Sequence, residues 1–130
     1  MKLEVDISED QLRLLINTIE AVFRFMMPYQ SNSLVEFFAL EQMDREHFRE
    51  WLANREKAEA FVKQLQNMLF DFTKEVPDTY RLADMWSVLR HAEWEYQHPN
   101  QKSDFWDVRS DKPIQQSDWG LMQIKVKQGS

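Results

Sequence analysis

The sequence predicts an α+β domain, helix-rich, with about four helices packed on a small sheet formed by the N- and C-terminal strands. Three observations carry that expectation. The chain opens and closes on alternating apolar residues, Leu3, Val5 and Ile7 at one end and Met122, Ile124 and Val126 at the other. Period-two alternation is the mark of a half-buried strand. Between these ends, apolar residues recur at helical spacing. Only two Gly and four Pro interrupt 130 residues, so long helices and few tight turns are expected. That length predicts a single domain over 1–130, and 43% apolar residues suffice for its core.

The elements follow in order. Lys2–Ile7 reads as the first strand. Ser8, with Gln11 three residues on, forms a capping box. Leu12, Leu15, Ile16, Ile19, Phe23 and Met26 then mark a helix that Pro28 stops. Tyr29–Ser33 is a polar turn, and Ser33 with Glu36 reads as a second capping box before Leu34, Val35, Phe37, Phe38 and Leu40. Asp44 is a candidate cap for the next stretch, which fits one bent helix or two as far as Thr73. Its later apolar positions are Ala58, Phe61, Val62, Leu65, Met68, Leu69 and Phe72. Val76-Pro77-Asp78 breaks the pattern, with Asp78 as the expected N-cap of a helix ending near Gln97. Leu82, Met85, Leu89, Ala92 and Tyr96 form its expected buried stripe. Gln101–Asp118 reads as an ordered loop or flap, because Phe105, Trp106 and Val108 rarely hang in water together. Leu121–Lys127 is the closing strand.

Composition narrows the function classes. The net charge of −6 argues against general binding to nucleic acid or an anionic membrane, since both need a basic face. No Cys is present, which excludes disulfides, thiolate metal sites and cysteine nucleophiles. No Gly-rich phosphate loop and no Gly-x-Ser-x-Gly elbow occurs. His91-Ala92-Glu93 has the form of the zinc deaminase His-x-Glu, yet the Cys pair it needs is missing. His91 and Glu95 alone do not make a metal site. No metal and no cofactor is therefore implied. No apolar run reaches membrane-span length, and acids stand early in the N-terminal segment, so a cytoplasmic location is expected.

The segment VPDTYRLADMWSVLRHAEW, Val76 to Trp94, is the strongest site candidate. Arg90 and Trp94 are spaced i, i+4 and share a helix face, with His91 adjacent. A guanidinium offers a planar fork of donors for phosphate or carboxylate, and an indole offers a stacking plane. Arg81, Trp86, Arg90, His91 and Trp94 are the candidate ligand-binding residues here. Arg24, Tyr29 and Gln30, around the end of the first helix, join them. The competing reading pairs Arg90 with a carboxylate, leaves Trp86 and Trp94 in the core, and lets Arg24 complement the helix macrodipole.

The same segment resembles a group of small proteins encoded by tailed bacteriophages. Val76, Pro77, Asp78, Arg81, Ala83, Val88, Leu89, Arg90 and His91 match that group's Val-Pro-Asp, Arg, Ala and Val-Ile-Arg-His pattern. The opening EVDISEDQLRLLINTIEAVFRFMM is also similar, with Arg24, Met27 and Gln30 as counterparts of the group's Arg, Met and Gln. Pro28-Tyr29 replaces the small residues found there. The resemblance implies a phage origin and a binding role rather than catalysis. The resulting expectation is a counter-defence protein that sequesters a small anionic ligand, a nucleotide immune signal, without acting as an enzyme. A homo-oligomer would suit such a site. The alternative is an acidic protein–protein inhibitor of a host or defence enzyme, anchored by Trp51, Phe105 and Trp106.

Overall fold

Ser8 starts the first helix as its sequence suggests. In the computed structural model, which describes residues 2–28, 30–42 and 45–128, the Ser8 hydroxyl accepts from the Gln11 amide at 3.2 Å. The Ser8 amide in turn donates to the Gln11 side chain at 2.8 Å. Two backbone donors that the helix cannot satisfy are thereby paired. Helix α1 spans Glu9–Phe25, α2 Ser31–Gln42, α3 Arg45–Leu69 and α4 Pro77–Gln97, and a short 3₁₀ helix covers Val108–Ser110.

The fold is all-α. It has four α-helices and 60% helix, with no strand among the described residues, which corrects the α+β expectation. Both terminal segments are extended but neither finds a ladder. Leu3 and Val5 stay about three-quarters exposed, and Lys127 lies 3.6 Å from Asp6 across the two ends. Alternation records that one face of a segment is apolar. It does not record whether a second strand lies within hydrogen-bonding distance. The C-terminal segment instead lies on helices: Ile124 packs against the core, and the Gln128 amide donates to the carbonyls of Glu95 and Tyr96.

Two cap assignments also change. Ser33 lies inside α2, two residues after its start, so it does not cap that helix. Its expected box partner Glu36 binds Arg55 on α3 at 2.7 Å. Val76, not Asp78, is the N-cap of α4, and Pro77 occupies the first turn, where its missing N–H costs nothing. Asp78 then serves the first turn as an acid near the helix N-terminus. Asp44 lies outside the described residues. The stretch before Thr73 is one helix, α3.

Helix α1 packs most extensively on α4 and also on α2, and α3 packs on α2. Leu12, Ile16 and Leu89 form the buried centre, with Ile19, Trp86 and Ile124 against them. Each such side chain stabilises the fold by roughly 1.5–3 kcal/mol when fully buried. The stripe of α4 is rotated from expectation: Val88, Leu89, Ala92 and Trp94 are buried, while Tyr96 is 38% exposed. Helix α3 is tied in by polar groups. Arg55 joins Glu59 to Glu36, and Gln66 donates at 2.8 Å to the Phe25 carbonyl at the end of α1. Among the described residues no helix is long and apolar enough to cross a membrane.

The chain after α4 is strapped along that helix. Buried Asp84 accepts from the amides of Gln116 and Ser117 at 2.8–3.2 Å. The His91 ring contacts the Arg109 carbonyl at 2.9 Å. These contacts fix which face of α4 stays open.

Candidate functional site

Helix α4 carries five of the candidate residues, and its packing sorts them into three groups. Arg81, in the first turns, is spent. Its guanidinium grips Asp118 with two bonds of 3.0 Å and Asp78 with a third, and it stacks on Trp119 at 4.3 Å. Asp118 first, then Asp78, raises the Arg81 pKa above its ordinary value. Sequence spacing shows Asp78 but not Asp118, which is 37 residues away.

His91 and Trp94 are structural. Trp94 is 1% exposed and is stacked by His98 at 4.9 Å and by His91 at 6.1 Å. His98 is thus half-buried against it. Both His91 ring nitrogens face oxygen atoms, the Arg109 carbonyl and the Glu95 carboxylate, each at 2.9 Å. A cavity of about 170 Å³ lies beside His91, lined also by Val88, Ala92, Glu95, Pro113, Leu121, Met122 and Ile124. Its wall is mostly apolar and includes none of the candidate arginines.

Arg90 and Trp86 form the third group, and α1 brings Arg24 to them. The Arg90 guanidinium lies 4.1 Å from the centre of the Trp86 ring, and that of Arg24 lies 5.5 Å from it. Trp86 is fixed from below by Phe23, ring to ring at 5.3 Å. Arg24 donates to Glu20 at 3.0 Å and to the Gln30 side chain at 3.4 Å, which draws Gln30 into the cluster. The residues Arg24, Gln30, Trp86 and Arg90 therefore converge, whereas Arg81, His91 and Trp94 serve other contacts. Tyr29 lies outside the described residues.

Arg90 differs from every other arginine in the group. No ion pair or hydrogen bond engages its side chain among the described residues, and its Nε is buried without a partner. Burial first, then the positive charge of Arg24 against the attraction of Glu20, holds its pKa below the ordinary arginine value. The group stays cationic all the same. A buried donor left unpaired costs about 1–3 kcal/mol, and the indole nitrogens of Trp86 and Trp94 are likewise buried without a partner among the described residues. Of the competing reading, the Arg90–carboxylate pair is not found among the described residues, while Trp94 in the core and Arg24 in the last turn of α1 are.

Sequence reasoning missed several residues that shape it. Glu93, 8% exposed, lies between Arg13 at 3.4 Å and Arg109 at 3.6 Å. Arg109 also clamps Asp107, whose carboxyl it pushes down to about 2. Glu20 was legible, since it stands i, i+4 from Arg24. The partners of Glu93 come from distant parts of the chain and left no local signal. Among the described residues no group of three His, Cys, Asp or Glu side chains is placed to hold a metal ion.

Comparison with known proteins adds no relative. No family model, no curated protein and no solved structure matches the chain.

Proposed function

We propose that this chain binds a small planar anion, a nucleotide, over the Arg90–Trp86 platform and acts by sequestering it. The observation that carries the reading is the unspent Arg90 guanidinium, lying on an indole with no carboxylate of its own. A phosphate would supply the missing acceptor through charge-assisted bonds. Arg24, which keeps only one carboxylate partner, adds a second cation, and Gln30 adds a side-chain amide beside it. Sequestration needs no nucleophile and no metal. The likeness of the Val76–Trp94 segment to phage accessory proteins sets this reading in counter-defence, with a nucleotide immune signal as the captured ligand.

The test is thermal-shift screening of the folded chain against ADP-ribose derivatives and cyclic dinucleotides. One of them is expected to raise the melting temperature, and Arg90→Ala is expected to abolish the rise while the unliganded protein still unfolds cooperatively. The ligand should be recovered unaltered after heat release. No rise with any of these compounds would remove that ligand class.

One observation favours the alternative of a protein–protein inhibitor. Phe105 and Trp106 are 90% and 89% exposed, ring against ring at 5.1 Å, on a loop that is already built. Ser110 closes that loop by accepting from the Asp104 amide and donating to the carbonyls of Asp104 and Asp107. Exposed aromatic anchors on a rigid loop suit a partner's pocket. The two readings separate in cells expressing the chain during phage challenge. Loss of protection in Arg90→Ala supports the nucleotide reading, and loss only in Phe105→Ala with Trp106→Ala supports the inhibitor.

A further inference from the structure

Around the Trp86 platform the arginines are matched by acids, with one exception. Arg24 is closed by Glu20 at 3.0 Å. Arg109 is closed by Asp107 at 2.8 Å and also reaches Glu93 at 3.6 Å, whose other oxygen Arg13 meets at 3.4 Å. Arg90 lies on the indole at 4.1 Å and forms no ion pair among the described residues. The two closed pairs flank it. Arg24 and Arg90 share one ring, and the 3₁₀ helix carrying Arg109 is held beside Arg90 by the neighbouring His91, whose ring meets the Arg109 carbonyl at 2.9 Å. Glu20 and Asp107 attract the Arg90 charge, while Arg24 and Arg109 repel it. Each attraction thus comes with its opposite. Three guanidiniums against two carboxylates leave a single positive charge, and Glu93 with Arg13 adds one of each sign.

Given a nucleotide on this platform, the reading on which the inference rests, we propose that the cluster selects a phosphate carrying one charge, a phosphodiester, over a terminal phosphate. A phosphate esterified twice is a monoanion and neutralises Arg90. A terminal phosphate carries about −1.5 to −2 at pH 7. Its second charge meets no open cation, and each closed pair brings a carboxylate, Glu20 or Asp107, into its surroundings. A charge that leaves water without a partner is costly. Releasing Arg24 from its pair is no remedy, because Glu20 would then stand beside the anion uncompensated. The ligand class is therefore cyclic nucleotides, cyclic dinucleotides and nucleotides whose phosphate is capped by a second group. Any further phosphate of such a ligand lies outside the cluster.

Titration calorimetry of the intact chain at about pH 8, well above the second phosphate pKa of about 6, tests this. The probes are adenosine and guanosine 5′-monophosphates and their phosphate methyl esters, each ester lacking one charge of its parent. For the better-bound base, the ester should bind roughly tenfold more tightly than the parent, the scale of one charge–charge contact near a protein surface. Glu20→Gln separates charge from shape. It keeps an oxygen for the Arg24 Nε–H and removes the negative charge, so the parent should gain affinity and the gap should fall to about threefold or less. A parent bound as tightly as its ester, or more tightly, would overturn the selection and leave the nucleotide reading standing. A gap unchanged in Glu20→Gln would overturn it too, because shape rather than charge would then set it. If no compound of either base binds folded protein at millimolar concentration, the nucleotide reading falls and takes the selection with it.

Discussion

Two arginines nine residues apart on α4 meet opposite fates. At the start of the helix, Arg81 has Asp78, Asp118 and Trp119 around it, with three of its five donors bound to acids. In the middle, Arg90 lies on Trp86 with a buried nitrogen that nothing among the described residues satisfies. The difference comes from the chain after α4. It returns along the first turns of the helix, where Asp84 holds it by the amides of Gln116 and Ser117, and supplies Asp118 to Arg81. Arg90 receives no acid from that return. A folded protein can close one cation into its structure and keep another open on the same helix, and the open one is the candidate for a ligand.

The comparison can be broken or sharpened in steps. The largest effect is expected from Trp94→Ala, which removes the most buried side chain of α4 and should cost about 3–5 kcal/mol in chemical denaturation. Asp84→Ala comes next. It strands two amides and frees the return segment, at a cost of about 2–3 kcal/mol. It should also release Asp118, leaving Arg81 with Asp78 as its acid partner. Limited proteolysis between residues 113 and 119 would show the release.

A paired substitution sharpens the contrast directly. Arg81→Met should lower the melting temperature, since it breaks three hydrogen bonds to acids. Arg90→Met keeps the contact with Trp86 and removes a partly buried cation, so it should leave stability unchanged or raise it by up to about 1 kcal/mol. Calorimetry of the two variants side by side reads both signs.

The smallest effect concerns pH. The carboxyl of Asp107 is held down to about 2, chiefly by Arg109. A depressed folded pKa contributes stability that is full above the ordinary carboxylate pKa of about 3.9 and is lost as pH falls through the folded value. The loop that carries Phe105 and Trp106 should therefore hold its near-ultraviolet dichroism at pH 4 and lose it toward pH 2. Asp107→Asn should remove that transition.

How much of this was legible in the sequence depends on the reach of each signal. Ser8 with Gln11, Pro28 and Pro77 act within a turn of themselves, and the helix limits they set are found in the structure. The strands were misread because Leu3, Val5 and Ile7 alternate in the same way whether or not a partner strand is near. The convergence of Arg24, Trp86 and Arg90 was anticipated from residue type. Which arginine would be spent was not, because Asp118 and the 310 helix carrying Arg109 arrive from distant sequence. Trp86 and Trp94 look alike on a helical wheel. Only the aromatic partners, Phe23 for one and His98 for the other, decide that the first is a platform and the second a pillar.

The most direct measurement follows the side-chain Nε–Hε signals of Arg81 and Arg90 in the 15N-labelled chain while a nucleotide such as ADP-ribose is added. The Arg90 signal is predicted to move and sharpen as its nitrogen gains an acceptor, with the Arg81 signal fixed throughout. An Arg90 signal that stays in place to millimolar nucleotide, in protein that remains folded, would contradict the account.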